Sequence, residues 1–213
     1  MRAIGVFGGT FDPVHYGHLR TALELRIKLA LDEMRFVPCA DPPHRAAPLT
    51  PSALRVRMLE AALAGQPGFV LDQRELHRSG PSYSVDTLES LRADYPEDSL
   101  CMIVGMDAFL GLTSWHNWQR LLDLAHIVVA HRPGWRAPDT GELGRFVDAH
   151  RTSSRTDLLH QRAGRVHIEE VTQLEISSTQ LRAAIQAGIG ARYLMPDGVW
   201  KIIRETGCYA PQS

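Results

Sequence analysis

A surplus of charge of either sign is what this 213-residue sequence lacks most plainly. Its 23 Lys and Arg stand against 24 Asp and Glu, a formal net charge of −1 at pH 7. No general field exists to hold a polyanion, which argues against nucleic acid as the main partner. No apolar run approaches the roughly 20 residues that a membrane span requires. The stretch from Met1 to Phe7 is too short in apolar length for a secretory leader. Cys39, Cys101 and Cys208 are far apart and show neither C-x-x-C nor metal-site spacing, so they are expected to be reduced thiols. A cytoplasmic protein with no membrane partner and no protein-held metal is the expectation. Repeats, low-complexity tracts and a clear linker are also missing. With 44% hydrophobic and 22% charged residues, the chain can build one substantial core, and a single domain over 1–213 is expected, with C-terminal helices from about 178 onward.

What the sequence does contain is a regular alternation of apolar runs and helical patterns, the signature of a parallel sheet with crossover helices. Strands are predicted at Ala3 to Phe7, Arg35 to Pro38, Phe69 to Leu71, Leu100 to Val104, Ile127 to Ala130 and Val166 to Ile168. Helices are predicted at Gly17 to Leu31, with Leu19, Leu23, Ile27 and Leu31 as the stripe facing the sheet, at Ser52 to Ala64, from Ser84 to before Pro96, at Trp118 to Leu124, at Ser178 to Ala187 and at Asp197 to Thr206. Between Pro133 and Arg165, repeated Gly and Pro predict short helices and surface loop.

The run Gly8-Gly9-Thr10-Phe11-Asp12-Pro13-Val14-His15-Tyr16-Gly17-His18 follows the first strand directly. A glycine turn leaving a strand exposes backbone N–H groups, and the helix it enters offers the positive end of its dipole, so the two together suit phosphate. Imidazole donates to phosphate oxygens in either protonation state, and His15 and His18, three apart, can meet one ligand. Either feature alone is compatible with an ordinary turn and an ordinary cap. No acid, however, occurs from Pro13 to Ala22, where the dipole normally favours Asp and Glu, and room for an outside anion accounts for that gap.

A second such place opens at Ile176-Ser177-Ser178-Thr179-Gln180-Leu181-Arg182. Ser177 and Gln180 have capping-box spacing. Three successive hydroxyls exceed what one cap needs, the first turn again lacks an acid, and Arg182 can fold back as a cationic clamp. Ligands of open parallel sheets bind beyond the carboxyl ends of the strands, which is where Gly8 to His18, Pro42 to Arg45, Gly105 to Asp107 and Ile176 to Thr179 all fall. His77, His126, His131, His150, His160 and His167 have no metal-ligand spacing among themselves.

The glycine-turn motif and Ile176-Ser177-Ser178-Thr179-x-Leu181-Arg182 resemble the paired signatures of the nucleotidylyltransferase superfamily with the H-x-G-H motif. Pro42-Pro43-His44, Pro81-Ser82-Tyr83-Ser84-x-Asp86-Thr87-Leu88, Gly105-x-Asp107, Trp115 and Arg132-Pro133-Gly134 extend the resemblance along nearly the whole chain, toward the bacterial nicotinate mononucleotide adenylyltransferase family. The resemblance implies a Rossmann-like, doubly wound parallel sheet with helices on both faces. It also implies adenylyl transfer from ATP to nicotinate mononucleotide, with magnesium as helper, in NAD biosynthesis. His15, His18 and Arg182 would be catalytic. Gly8, Gly9, Thr10, Phe11, Gly105, Asp107, Ile176, Ser177, Ser178 and Thr179 would join them in binding ATP, and Asp107 suits a ribose because a carboxylate accepts from paired hydroxyls. Asp12, His44, Arg45, Tyr83, Ser84, Trp115, His116 and Arg132 would serve the mononucleotide, Trp115 by stacking on the pyridine ring. The family often carries threonine at the Ser84 position and tyrosine at the His116 position. Open alternatives are a nicotinamide mononucleotide or phosphopantetheine adenylyltransferase and a non-catalytic nucleotide sensor.

Overall fold

The computed structural model describes residues 1–40, 48–132, 134, 138–172 and 174–210. Its sheet has six strands, all parallel, in the order β3-β2-β1-β4-β5-β6. These are β1 (Ala3–Gly9), β2 (Glu33–Pro38), β3 (Phe69–Leu71), β4 (Ser99–Gly105), β5 (His126–His131) and β6 (Val166–Glu170). Each contains its predicted run, because an apolar stretch buried on both faces is legible without alternation. The order reverses between β1 and β4, and the crevice of a doubly wound sheet opens at that switch point.

The helices are α1 (Tyr16–Lys28), α2 (Ser52–Leu63), α3 (Ser84–Asp94), α4 (Met106–Leu110), α5 (Leu121–Leu124), α6 (Gly141–His150), α7 (Arg155–His160), α8 (Ser178–Gln186) and α9 (Asp197–Thr206). Strand side chains alternate between two cores. Leu100, Met102 and Val104 of β4 and Ile127 and Val129 of β5 join Val85, Leu88 and Leu91 of α3 on one face. Cys101, Ile103, Val128 and Ala130 join Ala22, Leu25, Met58 and Val199 on the other. Full burial of each such Leu contributes about 2 kcal/mol. Among the described residues no helix is long and apolar enough to cross a membrane.

The predicted stripe on α1 requires correction. Ile27 is 66% exposed, whereas Thr21, Ala22, Leu25 and Leu29 are buried. Of that stripe Ile27 alone is exposed: Leu31 is buried and Leu19 packs partly against the core that Ala22, Leu25 and Leu29 join. Four short elements were absent from the expectation: α4 and the 3-10 turns Arg74–His77, Leu112–Ser114 and Arg192–Leu194. None is long enough to show a period.

Candidate active site

A cleft beyond the carboxyl ends of β1, β2, β4 and β5 is lined by both signature segments. Of the residues expected at the site, Gly8 to Asp12, His15, His18, Tyr83, Ser84, Gly105, Asp107, Trp115, His116, Ile176 to Thr179 and Arg182 all line it. His44 and Arg45 lie outside the described residues. Arg132 is not among the lining residues, and its Nη1 instead donates to Oε1 of Glu175 at 2.9 Å.

The two signatures are stitched together directly. Ser178 Oγ donates to the Pro13 carbonyl at 3.0 Å, and Arg182 Nη1 donates to the Asp12 carbonyl at 2.7 Å. Gly17 allows this approach. A Cβ there would sit 2.9 Å from the His15 ring and 3.3 Å from the Ile176 carbonyl oxygen. The starts of α1 and α8 both lack an acid in the first turn. Ser177 caps α8 by accepting from the Gln180 N–H at 3.2 Å, while its hydroxyl donates to Gln180 Oε1 at 3.1 Å. One serine thus satisfies the cap, leaving Ser178 and Thr179 for other partners.

His15 caps α1 and His18 occupies its first turn, with ring centroids 3.7 Å apart. The His15 backbone N–H donates to His18 Nδ1 at 3.3 Å. Since an N–H donor requires a lone pair there, the neutral His18 ring carries its proton on Nε2 and can donate from that atom. Phe11, in the left-handed region at φ 50°, sets its ring edge-on to His18 at 5.1 Å and limits the imidazole's movement. His15 is only 4% exposed, and its Nδ1 has no partner among the described residues.

Burial pushes the His15 pKa down to about 4. A depressed imidazole pKa means that the unfolded chain binds the proton more readily, so this contribution to stability is intact above about pH 6.5 and is lost as pH falls toward 4. The full loss is on the order of 3 kcal/mol. Buried His126, also shifted downward by desolvation, loses stability in the same direction. Unfolding measured from pH 7 to pH 4 should therefore show a smaller acid loss in His15→Gln than in the parent chain. An identical pH dependence in the two would rule out a neutral, buried His15.

Asp12 sits at the centre of the assembly. Its carboxylate accepts from the Leu49 N–H at 2.8 Å, the Thr50 hydroxyl at 2.5 Å and the Tyr209 hydroxyl. Its acceptors are thus engaged within the protein. Burial and the neighbouring Asp12 raise the Tyr209 pKa, which keeps the phenol protonated and able to donate.

At the far end of the cleft, Tyr83 precedes α3 and Ser84 is its first residue, and both line the opening. Tyr83 lies over His116 with centroids 4.4 Å apart, and Trp115 packs partly against the α3 side of the core while lining the cleft. Trp118 packs against Phe146 instead. Glu75, missed in the sequence, also lines this end, where it accepts from the Thr87 hydroxyl at 2.6 Å and burial raises its pKa.

A parallel sheet with its crevice at the strand reversal, two acid-free helix starts and a histidine pair define a nucleotide-binding α/β protein of the nucleotidyl-transferring class. The chain belongs to the cytidylyltransferase-like family, whose model matches residues 6–184. It is 50% identical over 208 residues to a Methylococcus capsulatus protein named "probable nicotinate-nucleotide adenylyltransferase", covering 97% of this chain and 99% of that one. An Aeromonas hydrophila protein of the same name is 47% identical, covering 98% and 97%. Among solved structures, Plasmodium falciparum nicotinic acid mononucleotide adenylyltransferase complexed with NaAD aligns with a TM-score of 0.72 at 17% identity, covering 98% of both chains, a likeness of fold.

Proposed function

We infer that the protein transfers the adenylyl group of ATP to nicotinate mononucleotide, forming nicotinate adenine dinucleotide and pyrophosphate, and so acts in NAD biosynthesis. The observation that carries this reading is the convergence of His18, Arg182 and two acid-free helix starts on one cleft, in a chain whose full-length relatives bear the name of that activity.

In this reading an oxygen of the mononucleotide phosphate attacks the α-phosphorus of ATP. A new P–O bond forms as the bond from the α-phosphorus to the bridging oxygen of the β-phosphate breaks, and pyrophosphate leaves with that electron pair. The attacking phosphate is already anionic and needs no strong base. The protein's work is to align two anions and to stabilise charge that spreads onto the leaving group. His18 Nε2–H donates to the α-phosphate, His15 to neighbouring oxygens, and Arg182 holds the β- and γ-phosphates. Gly105 and Asp107 receive the adenosine, Trp115 stacks on the pyridine ring, and Ser84 with the N–H groups of the α3 start receives its carboxylate. Among the described residues no group of three or more His, Cys, Asp or Glu could hold a metal ion. Magnesium would arrive with the triphosphate and would there supply charge neutralisation of the leaving oxygens. A cytoplasmic location fits substrates of this kind.

The test is pyrophosphate release with ATP and, in turn, nicotinate mononucleotide, nicotinamide mononucleotide and phosphopantetheine. Turnover should be fastest with the acid. Equal or faster turnover with the amide would overturn the choice of substrate, and binding without product from any acceptor would make the protein a sensor.

A further inference from the structure

A fully buried cation lies behind the glycine turn, and the mechanism above does not use it. Arg55, on the first turns of α2, is 1% exposed. Its Nη1 donates to the Thr10 carbonyl and its Nη2 to the Cys39 carbonyl, both at 2.8 Å, while Nε has no partner among the described residues. None of the ion pairs among the described residues includes it. A buried guanidinium without a carboxylate is costly, so its retention in the core calls for a role that a hydrophobic residue would not fill.

We propose that Arg55 is a positioning residue for the phosphate cradle: by holding the Thr10 and Cys39 carbonyls toward itself, it turns the Thr10–Phe11 amide into the cleft and sets a fixed positive charge behind it. The C=O and N–H of a trans peptide point in opposite directions. With the Thr10 carbonyl drawn to Arg55, the Phe11 N–H is aimed away from it, on the side where Gly9, Thr10 and Phe11 line the cleft. The left-handed φ of Phe11, 50°, brings neighbouring amides into the concave arrangement that accepts anions. On the second strand the same logic is visible in a bond already made. The Cys39 carbonyl is held by Arg55, and the N–H of that peptide, on Ala40, donates to Ser82 Oγ at 3.1 Å. Arg55 thus ties β1 to β2 just past their last ladder bond, Cys39 N–H to the Gly9 carbonyl at 3.0 Å.

The ligand recognised through Arg55 is the polyphosphate part of a nucleotide, and the inference rests on the reading of this cleft as an ATP site. The experiment compares binding of a non-hydrolysable ATP analogue and of adenosine to the parent chain, Arg55→Lys and Arg55→Met. Lysine keeps the charge but cannot span two carbonyls; methionine keeps the apolar stem alone. In Arg55→Lys, analogue affinity should fall about tenfold, the scale of one misaligned donor to an anion, with adenosine affinity unchanged within about twofold. In steady state the KM for ATP should rise more than that for the mononucleotide. Parallel weakening of adenosine and analogue would reduce Arg55 to a packing role, and an unchanged analogue affinity in folded Arg55→Lys would refute the proposal outright. Arg55→Lys decides the matter if Arg55→Met does not fold. A parent chain that binds the analogue yet makes no dinucleotide would defeat the proposed function and leave the role of Arg55 standing.

Discussion

Replacing His18 by alanine is expected to lower kcat by about a hundredfold or more, the cost of removing a donor aimed at charge that develops in the transition state. The expectation follows from the bond that the His15 N–H makes to His18 Nδ1, which fixes the outward proton on Nε2. Alanine removes that donor and the ring's contacts with Phe11 and Phe7, and it frees the His15 N–H. Folding should suffer far less than turnover, because His18 is only half-buried and helix α1 retains its core face of Ala22, Leu25 and Leu29. Initial rates together with thermal unfolding measure both quantities. A variant with near-normal kcat would take His18 out of the chemistry, and one that unfolds would be replaced by His18→Asn, which keeps an acceptor near the His15 N–H while losing the Nε2 donor.

Arg182→Ala should produce a loss of similar size, appearing chiefly in kcat/KM for ATP. Two things disappear at once: the guanidinium at the cleft wall and the donor that holds the Asp12 carbonyl at 2.7 Å. A fall of about a hundredfold to a thousandfold is expected for a charged donor to phosphate that also orders its neighbours. Arg182→Lys should recover part of it, since the charge remains while the fork that reaches both Asp12 and Thr179 does not. If kcat/KM for ATP in Arg182→Ala stayed within about twofold of the parent, the clamp assigned to this residue would have to be abandoned.

Much of this arrangement was readable in the chain itself, for identifiable reasons. Doubly buried parallel strands such as Leu100 to Val104 and Ile127 to Ala130 announce themselves as uninterrupted apolar runs. The anion site proposed at the start of α1 was suggested by what is missing there, the acids between Pro13 and Ala22. The contact of Ser178 with Pro13 is a different matter, joining residues 165 apart that no local pattern links. Arg55, Glu75, Thr50 and Tyr209 were overlooked because their importance comes from burial, which is a property of the fold. One signal was available for Arg55, a charged residue sharing the helical face of Met58 and Leu59 in α2. On α1 side-chain size suggested Ile27, which is exposed, while the smaller Ala22 is buried.

The hydroxyl of Tyr209 reaches a carboxylate 197 positions earlier. A closure spanning nearly the whole polypeptide carries a loop entropy that the contacts of the intervening strands offset. The contact that completes the surroundings of Asp12 therefore comes from a residue beyond α9 and is missing from any chain cut before position 209.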